Sequence, residues 1–324
     1  MTNKHQIEKP VAGLFDLFQS EFARALQSEI TTIQSAIERI HLSNGKCIRP
    51  LLLLLTAEAC GQATALSVES AVLLELLHTA SLVHDDVVDE TKQRRGVPSI
   101  NAIYDNRIAV LVGDFVLANT LIRAIKTGDN QIVTIIAMLC REMAEGEVKQ
   151  LENSENIVLS EKDYFQMLGK KTAALMAACT EIGAITAGAD LELQTRCRQF
   201  GYLLGCSFQI KDDLFDYFDN QHIGKPNGND IREGKITLPL LYAFNSTSAS
   251  EKAHYLDILK QRQFTPENIA ALIEFAKEKG GIEYAKTRMT EYKTQAIETI
   301  ETFPPSEAKD SLLLLADYLV NRLK

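Results

Sequence analysis

Apolar residues recur along almost the whole chain at the three- and four-residue spacing that places them on one face of a helix. Phe15, Phe18 and Phe22 keep this spacing near the start, and Leu315 and Leu319 keep it near the end. No segment alternates apolar and polar residues as a half-buried strand does. The pattern therefore predicts an all-α protein with helices of roughly 15 to 25 residues.

Glycine, proline and clusters of small polar residues predict where these helices end. Such breaks fall at 43–45, 61, 96–98, 219–234, 245–250 and 303–305. No Pro- or Ser-rich linker and no shift in composition divides the helices into groups. We therefore expect one domain that spans residues 1–324.

The charge and the apolar stretches restrict the class of protein. The 324 residues carry a formal net charge of -9, which disfavours nucleic acid as a partner. The six cysteines contain no CxxC pair, which indicates buried free thiols in a reducing compartment. The N-terminus lacks the apolar core of a secretory signal, and the apolar stretches at 51–57 and 71–83 are shorter than the ~20 residues of a membrane span. The sequence thus predicts a cytoplasmic protein without a membrane span.

Two acidic motifs of the form Asp-Asp-x-x-Asp each follow an apolar helical stretch. They consist of Asp85, Asp86 and Asp89, and of Asp212, Asp213 and Asp216. The first and last aspartates of each motif share a helix face, so their carboxylates repel each other unless a cation lies between them. A hard divalent cation such as Mg²⁺ accepts a few carboxylates together with water and phosphate oxygens. The two motifs therefore predict a metal-bound diphosphate in a shared apolar cavity.

Basic residues lie in short polar islands near these motifs and suit the binding of a diphosphate. The islands contain Lys46, Arg49, Arg94, Arg95, Lys170, Lys171, Lys225 and Lys235. His78 lies seven residues before Asp85, two helical turns away on nearly the same face, which favours a contact with substrate.

Seven sequence pieces, in this order, resemble the trans-type isoprenyl diphosphate synthases over essentially the whole chain. They are GKCIRP (45–50), HTASLVHDDVVDE (78–90), RRG (94–96), KT (171–172), QIKDDLFD (209–216), GKP (224–226) and EGKITLP (233–239). The resemblance implies the isoprenoid synthase fold, a large bundle of long, mostly antiparallel helices around a central cavity. It also implies a homodimer.

The resemblance implies a role for each matched residue. Three Mg²⁺ ions are expected, two on Asp85 and Asp89 and the third on Asp212. Isopentenyl diphosphate is expected at Lys46, Arg49, His78 and Arg95. The allylic diphosphate is expected at Arg94, Lys171, Thr172, Gln209, Lys225 and Lys235. The six aspartates, Lys171 and Lys235 are the expected catalytic groups.

The implied reaction is metal-assisted ionisation of the allylic diphosphate, attack on the allylic cation by the double bond of isopentenyl diphosphate, and loss of a proton. Short-chain members of the family block the tunnel with an aromatic residue one turn before the first motif. Ala80 and Ser81 occupy this turn here, so we expect the tunnel to continue past Leu77 and Leu74. The expected product is long, about seven to ten isoprene units, and its release involves transient membrane contact.

Three other functions are compatible with parts of the sequence. A class I terpene cyclase also ionises allylic diphosphates, but it typically carries an Asn/Ser/Glu-type second motif. A metal phosphohydrolase would use His78 and the His84–Asp85 pair, and would leave the second motif unexplained. A non-catalytic partner subunit would have lost its acidic motifs, whereas both are intact here.

Overall fold

The computed structural model describes residues 4–42, 45–94, 96–157, 159–218 and 228–321. Across these ranges the all-α prediction is confirmed. The sheet in the described part of the chain is one short antiparallel hairpin, β1 (Gln93–Arg94) paired with β2 (Val97–Pro98). Gly96, between the strands, has a φ of 79°, a left-handed conformation that glycine adopts without strain.

Seventeen α-helices are described, together with one 3₁₀ turn (Lys9–Val11) and one π-helical segment (Gly169–Ala173). The first nine are α1 (Lys4–Glu8), α2 (Ala12–Arg24), α3 (Thr31–Leu42), α4 (Ile48–Cys60), α5 (Ala65–Val88), α6 (Ile100–Ile103), α7 (Asn106–Lys126), α8 (Asn130–Asn156) and α9 (Glu161–Leu168). The others are α10 (Ala174–Thr186), α11 (Leu191–Phe215), α12 (Asn229–Arg232), α13 (Leu238–Asn245), α14 (Ala249–Lys260), α15 (Pro266–Glu278), α16 (Gly281–Ile300) and α17 (Glu307–Asn321).

The predicted helix lengths are right for the long helices α5, α7, α11 and α16, and too long for many of the others. The helix α13, for example, has eight residues, and α15 has thirteen. Both begin at an extended threonine followed closely by a proline, a start signal that periodicity alone does not supply.

The chain forms two compact units. Unit 1 comprises residues 1–140, 175–201 and 299–315, and unit 2 comprises residues 141–174, 202–298 and 316–324. Each unit contains one of the two acidic motifs. The expectation of a single domain stays a prediction.

In unit 1, α5 is the central helix and packs against α2, α4 and α7. Its start is capped by Thr64 and Ser67 in a reciprocal capping box. Gly113 on α7 faces His84, and a Cβ there would lie 2.2 Å from the His84 Nε2 atom. This glycine therefore brings α7 close to the last turns of α5, where the first acidic motif begins.

In unit 2, a buried apolar cluster joins the end of α11 to α13, α14 and α15. Gly205 on α11 lies against the π-helical segment, because a Cβ there would be 2.7 Å from the Ala173 Cα atom. The close contact fixes the segment that carries Lys171 and Thr172 on the surface of α11.

Among the described residues, two helices are long and apolar enough by length and composition to cross a membrane, a test that buried core helices also pass, so the expectation of no membrane span is not contradicted. In α5, 67% of the apolar window is buried within the protein, as expected of a core helix. In α7 only 33% of the apolar window is buried, and several of its large apolar side chains, such as Leu111 and Ile125, are exposed.

Candidate active site

The first acidic motif lies at the C-terminal end of α5. Asp85 and Asp86 are in its last turn, and Asp89 is its C-cap, with its backbone N–H donated to the Asp85 carbonyl oxygen at 2.8 Å. Asp85 and Asp89 are both partly exposed. Because the helical geometry continues to the cap, these two carboxylates belong to the same face of α5, as the spacing predicts.

Asp86, the middle aspartate, is buried and paired. The guanidinium of Arg94 donates to its Oδ1 atom from Nε at 2.9 Å and from Nη2 at 2.7 Å. Asn101 Nδ2 donates to the Asp86 carbonyl oxygen at 2.9 Å. Asp86 therefore holds the β1–β2 hairpin beneath the motif, and its carboxylate is already committed to Arg94.

Arg49 and His78, expected to bind isopentenyl diphosphate, are in direct contact. Arg49 lies in the first turn of α4, and its Nη1 atom is 2.9 Å from His78 Nε2 in the middle of α5. Lys46 is exposed just before α4, and Cys47 has a φ of 49°, which turns the chain into the helix. Three of the four groups expected to bind isopentenyl diphosphate therefore lie around the start of α4. The fourth, Arg95, lies outside the described residues.

A cavity of about 60 Å³ in unit 1 is lined by His78, Asp86 and Arg94. Thr79 and Leu82 of α5 also line it. The positions proposed to set product length lie on the same helix, and Ala80, Leu77 and Leu74 are buried there, while Ser81 is partly buried. Their role in product length stays a prediction.

His84 takes no part in a site with His78. Its Nε2 atom lies 3.4 Å from Asp114 Oδ1 and 3.3 Å from the Val110 carbonyl oxygen, both on α7. The pair of histidines on which a phosphohydrolase would depend is thus used for two separate contacts.

In unit 2, four of the six groups expected to bind the allylic diphosphate line one cavity of about 150 Å³, whereas a fifth, Arg94, lines the cavity of unit 1 and is paired with Asp86. The four are Lys171, Thr172, Gln209 and Lys235, and the structure brings these predicted residues together. Lys171 and Thr172 lie in the π-helical segment, a distortion that occurs frequently at functional sites. The extra residue in the turn changes the directions in which the two side chains project. Lys225 lies outside the described residues.

The two lysines of this cavity have acidic partners within the protein. Lys171 Nζ lies 2.5 Å from Glu147 Oε2 and donates to Gln150 Oε1 at 3.2 Å. Lys235 Nζ lies 2.6 Å from Glu233 Oε2. These partners hold the cationic groups at the cavity wall.

Asp213, the middle aspartate of the second motif, is buried at the centre of a hydrogen-bond chain. Tyr164 donates its hydroxyl to Asp213 Oδ2 at 2.6 Å, and Gln209 Nε2 donates to Asp213 Oδ1 at 2.8 Å. Thr172 donates its hydroxyl to Gln209 Oε1 at 2.7 Å. Asp213 therefore orients two of the predicted substrate-binding groups.

Asp216 is occupied as a helix cap. α11 ends at Phe215, and the Asp216 carboxylate accepts the backbone N–H groups of Asn229 at 2.7 Å and of Asp230 at 3.0 Å, at the start of α12. Asp216 thus follows α11 as Asp89 follows α5, and the expectation that Asp212 and Asp216 share one face stays a prediction.

The carboxylates of unit 2 are crowded. Burial first, and then the charges of Asp212 and Asp216, raise the pKa of Asp213 to about 6, against the lowering effect of its hydrogen bonds from Tyr164 and Gln209. Burial also raises the pKa of Asp216. The pKa of Asp230 is raised by burial and by the charges of Asp213 and Asp216. The local negative charge is therefore undercompensated by the protein alone, which is the environment that a divalent cation relieves.

The donor set fits a hard cation with oxygen ligands. Asp85, Asp89 and Asp212, the aspartates expected to bind Mg²⁺, supply carboxylate oxygens, the ligand type that this ion prefers. Within the described ranges no three His, Cys, Asp or Glu side chains are arranged to hold a metal by themselves. Mg²⁺ is bound in this way, through few carboxylates with water and substrate phosphate completing its shell.

Several residues of the site could not be identified from the sequence. Tyr164, Glu147 and Gln150 come from α8 and α9, where no motif marks them. Asp230 and Glu233 lie in the polar stretch 219–234, which the sequence predicts to be a break between helices. Tyr164 lies seven residues before Lys171, and this helical spacing is the signal that could have indicated it.

Comparison with known proteins identifies the class. The chain matches the polyprenyl synthetase family over residues 30–276. It is 36% identical over 301 residues to the octaprenyl diphosphate synthase of Haemophilus influenzae, covering 92% of this chain and 90% of that protein. It is 33% identical over 302 residues to the short chain isoprenyl diphosphate synthase of Methanothermobacter thermautotrophicus, covering 91% and 92%. A solved polyprenyl synthase of Caulobacter crescentus, complexed with calcium and isoprenyl diphosphate, has a TM-score of 0.93 at 31% identity and covers 99% of this chain and 98% of that one.

The chain belongs to the polyprenyl synthetase family. It is a trans-prenyltransferase of isoprenoid biosynthesis that elongates prenyl chains, and it uses an allylic diphosphate and isopentenyl diphosphate. The isoprenoid synthase fold and the dependence on a divalent metal follow from the same comparisons. Membership of this family also argues against the cyclase and phosphohydrolase alternatives.

Proposed function

We propose that this chain is a magnesium-dependent synthase of long all-trans polyprenyl diphosphates, about C35 to C50 in length, working in the cytoplasm. The observation that carries the proposal is the cavity of unit 2, where Lys171, Thr172, Gln209 and Lys235 converge next to the second acidic motif. Two cations and the second N–H group of the Gln209 amide match the several oxygens of one diphosphate group.

The protein groups act by binding and orientation. Lys171 and Lys235 stabilise the negative charge that builds up on the departing diphosphate. The Tyr164–Asp213–Gln209–Thr172 chain fixes the direction of the Gln209 amide before substrate arrives. Three Mg²⁺ ions on Asp85, Asp89 and Asp212, when bound, would supply Lewis-acid stabilisation of the leaving group. No protein nucleophile is required.

The apolar part of the cavity protects the allylic cation. Met167, Leu168, Ile236 and Leu241 line the same cavity as the polar groups. Exclusion of water there prevents quenching of the cation to an alcohol. Isopentenyl diphosphate is held by Lys46, Arg49 and His78, and the released diphosphate accepts the proton that the new chain loses.

The test is incubation of the purified chain with labelled isopentenyl diphosphate, farnesyl diphosphate and Mg²⁺, followed by product sizing. Asp85→Asn and Asp212→Asn should each abolish elongation, and retained activity in both would refute the metal assignment. Diphosphate release without isopentenyl diphosphate would indicate a hydrolase, and a cyclised hydrocarbon a cyclase. Activity that appears only after a second protein is added would indicate a partner subunit.

Product length is tested at the turn before the first motif. Ala80→Phe and Ser81→Phe should shorten the product, because an aromatic ring fills the wall about one turn from Asp85, roughly 6 Å along the axis. Ala65→Phe is the matched control, since it makes the same change at an exposed position of α5. Unchanged product length in both test variants would remove the argument for an open tunnel.

We propose further that the enzyme is a homodimer formed through the apolar face of α7. The face is defined by Val110, Leu111, Leu121, Ile122 and Ile125, which are 40–68% exposed. These positions share one side of α7 within unit 1, with the exposed Asp114 between Leu111 and Leu121. Several large apolar side chains exposed on one helix side are typical of a protein interface.

Leu111→Lys with Ile122→Lys should convert the dimer to a monomer in light scattering after gel filtration. Leu191→Lys is the control, since Leu191 is 73% exposed but lies outside the face. An unchanged mass for the double variant would exclude this interface. Loss of vesicle binding with no change in mass would assign the face instead to the membrane contact expected during product release.

A further inference from the structure

Two cysteines outside the active site are in contact within unit 1. The Cys60 and Cys197 Sγ atoms lie 3.4 Å apart, and both residues are free thiols. Cys60 is the last residue of α4, and Cys197 lies in the second turn of α11. A disulfide needs a separation of about 2.0 Å, so rotation of the side chains, helped by the position of Cys60 at a helix end, can close the gap.

The two thiols have different surroundings. Cys60 is partly exposed, whereas Cys197 is fully buried. The hydrogen bond from Cys197 lowers the pKa of the Cys60 thiol, and the same contact and burial raise the pKa of Cys197. An accessible thiol with a lowered pKa beside a buried second thiol is the arrangement of a reactive and a resolving cysteine.

We infer that Cys60 and Cys197 form a peroxide-responsive disulfide site that joins α4 to α11. The Cys60 thiolate attacks hydrogen peroxide, which gives Cys60 sulfenic acid and hydroxide. The Cys197 thiol then attacks the sulfenic sulfur, forming the Cys60–Cys197 bond and releasing water. Both sulfurs are oxidised and the peroxide oxygens are reduced. A thiol such as glutathione reverses the step by exchange, attacking the disulfide from the side of the partly exposed Cys60.

The disulfide closes a loop between residues 137 positions apart in the sequence. It restricts the unfolded chain and therefore stabilises unit 1. Arg49, the substrate-binding residue of α4, lies eleven residues from Cys60, roughly 16 Å along the helix. Oxidation should thus raise the thermal midpoint while leaving prenyl transfer nearly unchanged.

The test treats the reduced full-length protein with hydrogen peroxide, with and without dimedone, and maps the products by peptide mass spectrometry. The wild type should lose two hydrogens per chain, yield the Cys60–Cys197 peptide pair and show a higher thermal midpoint, reversed by dithiothreitol. In Cys197→Ser, which lacks the resolving thiol, dimedone-labelled Cys60 should accumulate. Cys140→Ser is the control, since burial raises the pKa of the Cys140 thiol, and it should behave as the wild type.

Three results would overturn the inference. They are full alkylation of both cysteines after peroxide treatment, equal dimedone labelling of Cys60 in the wild type and Cys197→Ser, and disulfides that join two chains rather than one. The wild-type measurement decides the matter even if a serine variant fails to fold.

Discussion

The hydroxyl of Tyr164 offers the sharpest test of how the second acidic motif works. Tyr164→Phe removes one oxygen and keeps the ring, including its edge contact with Phe165 at 5.1 Å between ring centres. The Asp213 carboxylate, 5% exposed, then loses the donor 2.6 Å from its Oδ2 atom. The variant therefore disturbs the hydrogen-bond chain with little change in packing.

The expected magnitude follows from the charge of the acceptor. A hydrogen bond to a charged group contributes about 1.5–3 kcal/mol, and each ~1.4 kcal/mol corresponds to a factor of ten. If Gln209 and Thr172 lose their fixed positions, kcat/KM for the allylic diphosphate should fall about 10- to 100-fold. The KM for isopentenyl diphosphate should stay within about twofold, because Arg49 and His78 are not members of the Tyr164–Asp213–Gln209–Thr172 hydrogen-bond chain.

The assay is steady-state elongation with each substrate varied in turn, combined with thermal unfolding. Tyr217→Phe is the matched control, since Tyr217 is equally buried in unit 2 but shares its hydrogen bond, 2.8 Å, with the neutral hydroxyl of Thr237. That loss should cost only about 0.5–1.5 kcal/mol of stability. A Tyr164→Phe enzyme with a lower thermal midpoint but normal kinetics, or with both KM values raised equally, would refute the positioning argument.

Three further variants test the same geometry. Asp86→Asn should lower the free energy of unfolding by about 1–3 kcal/mol in chemical unfolding, because it leaves Arg94 without its charged partner. It should reduce magnesium-dependent activity far less than Asp85→Asn does. Equal loss of activity in the two variants would contradict the assignment of Asp86 to the hairpin. Gly205→Ala should lower the free energy of unfolding by about 1–3 kcal/mol and raise the KM for the allylic diphosphate, since the new methyl group would press on Ala173 of the π-helical segment. The control is Gly13→Ala, which has open space around it and should leave the stability unchanged or raise it slightly. Asp230→Asn should raise the thermal midpoint at pH 8, because the pKa of Asp230 is raised in the folded state and its ionised form opposes folding above that pKa. Below the unfolded-state pKa of about 3.9, the carboxyl is protonated in both the folded and the unfolded state. The thermal midpoints of wild type and variant should therefore converge as the pH falls. A larger increase in thermal midpoint at acidic pH than at pH 8 would show that the predicted direction of this pH dependence is wrong.

The fold class and the location of the two motifs could be predicted because they depend on short-range patterns. The apolar period of α5 and the four-residue spacing of its aspartates are visible in the sequence, and the family's ordered pieces matched residues that converge in the structure, such as Lys171 with Gln209. The separate functions of the aspartates within each motif could not be predicted. Asp86 and Asp85 are adjacent and chemically identical, and only the approach of Arg94 distinguishes them.

By itself, the sequence determined that the chain is helical and that its two aspartate-rich segments end apolar helices, because period and residue type act over one or two turns. Only the tertiary structure decided that Asp213 orients Gln209 through a chain from Tyr164, that Asp216 caps α12, and that Cys60 meets Cys197. Those contacts join residues up to 137 positions apart. Their geometry depends on how separate helices pack, which local preferences do not specify.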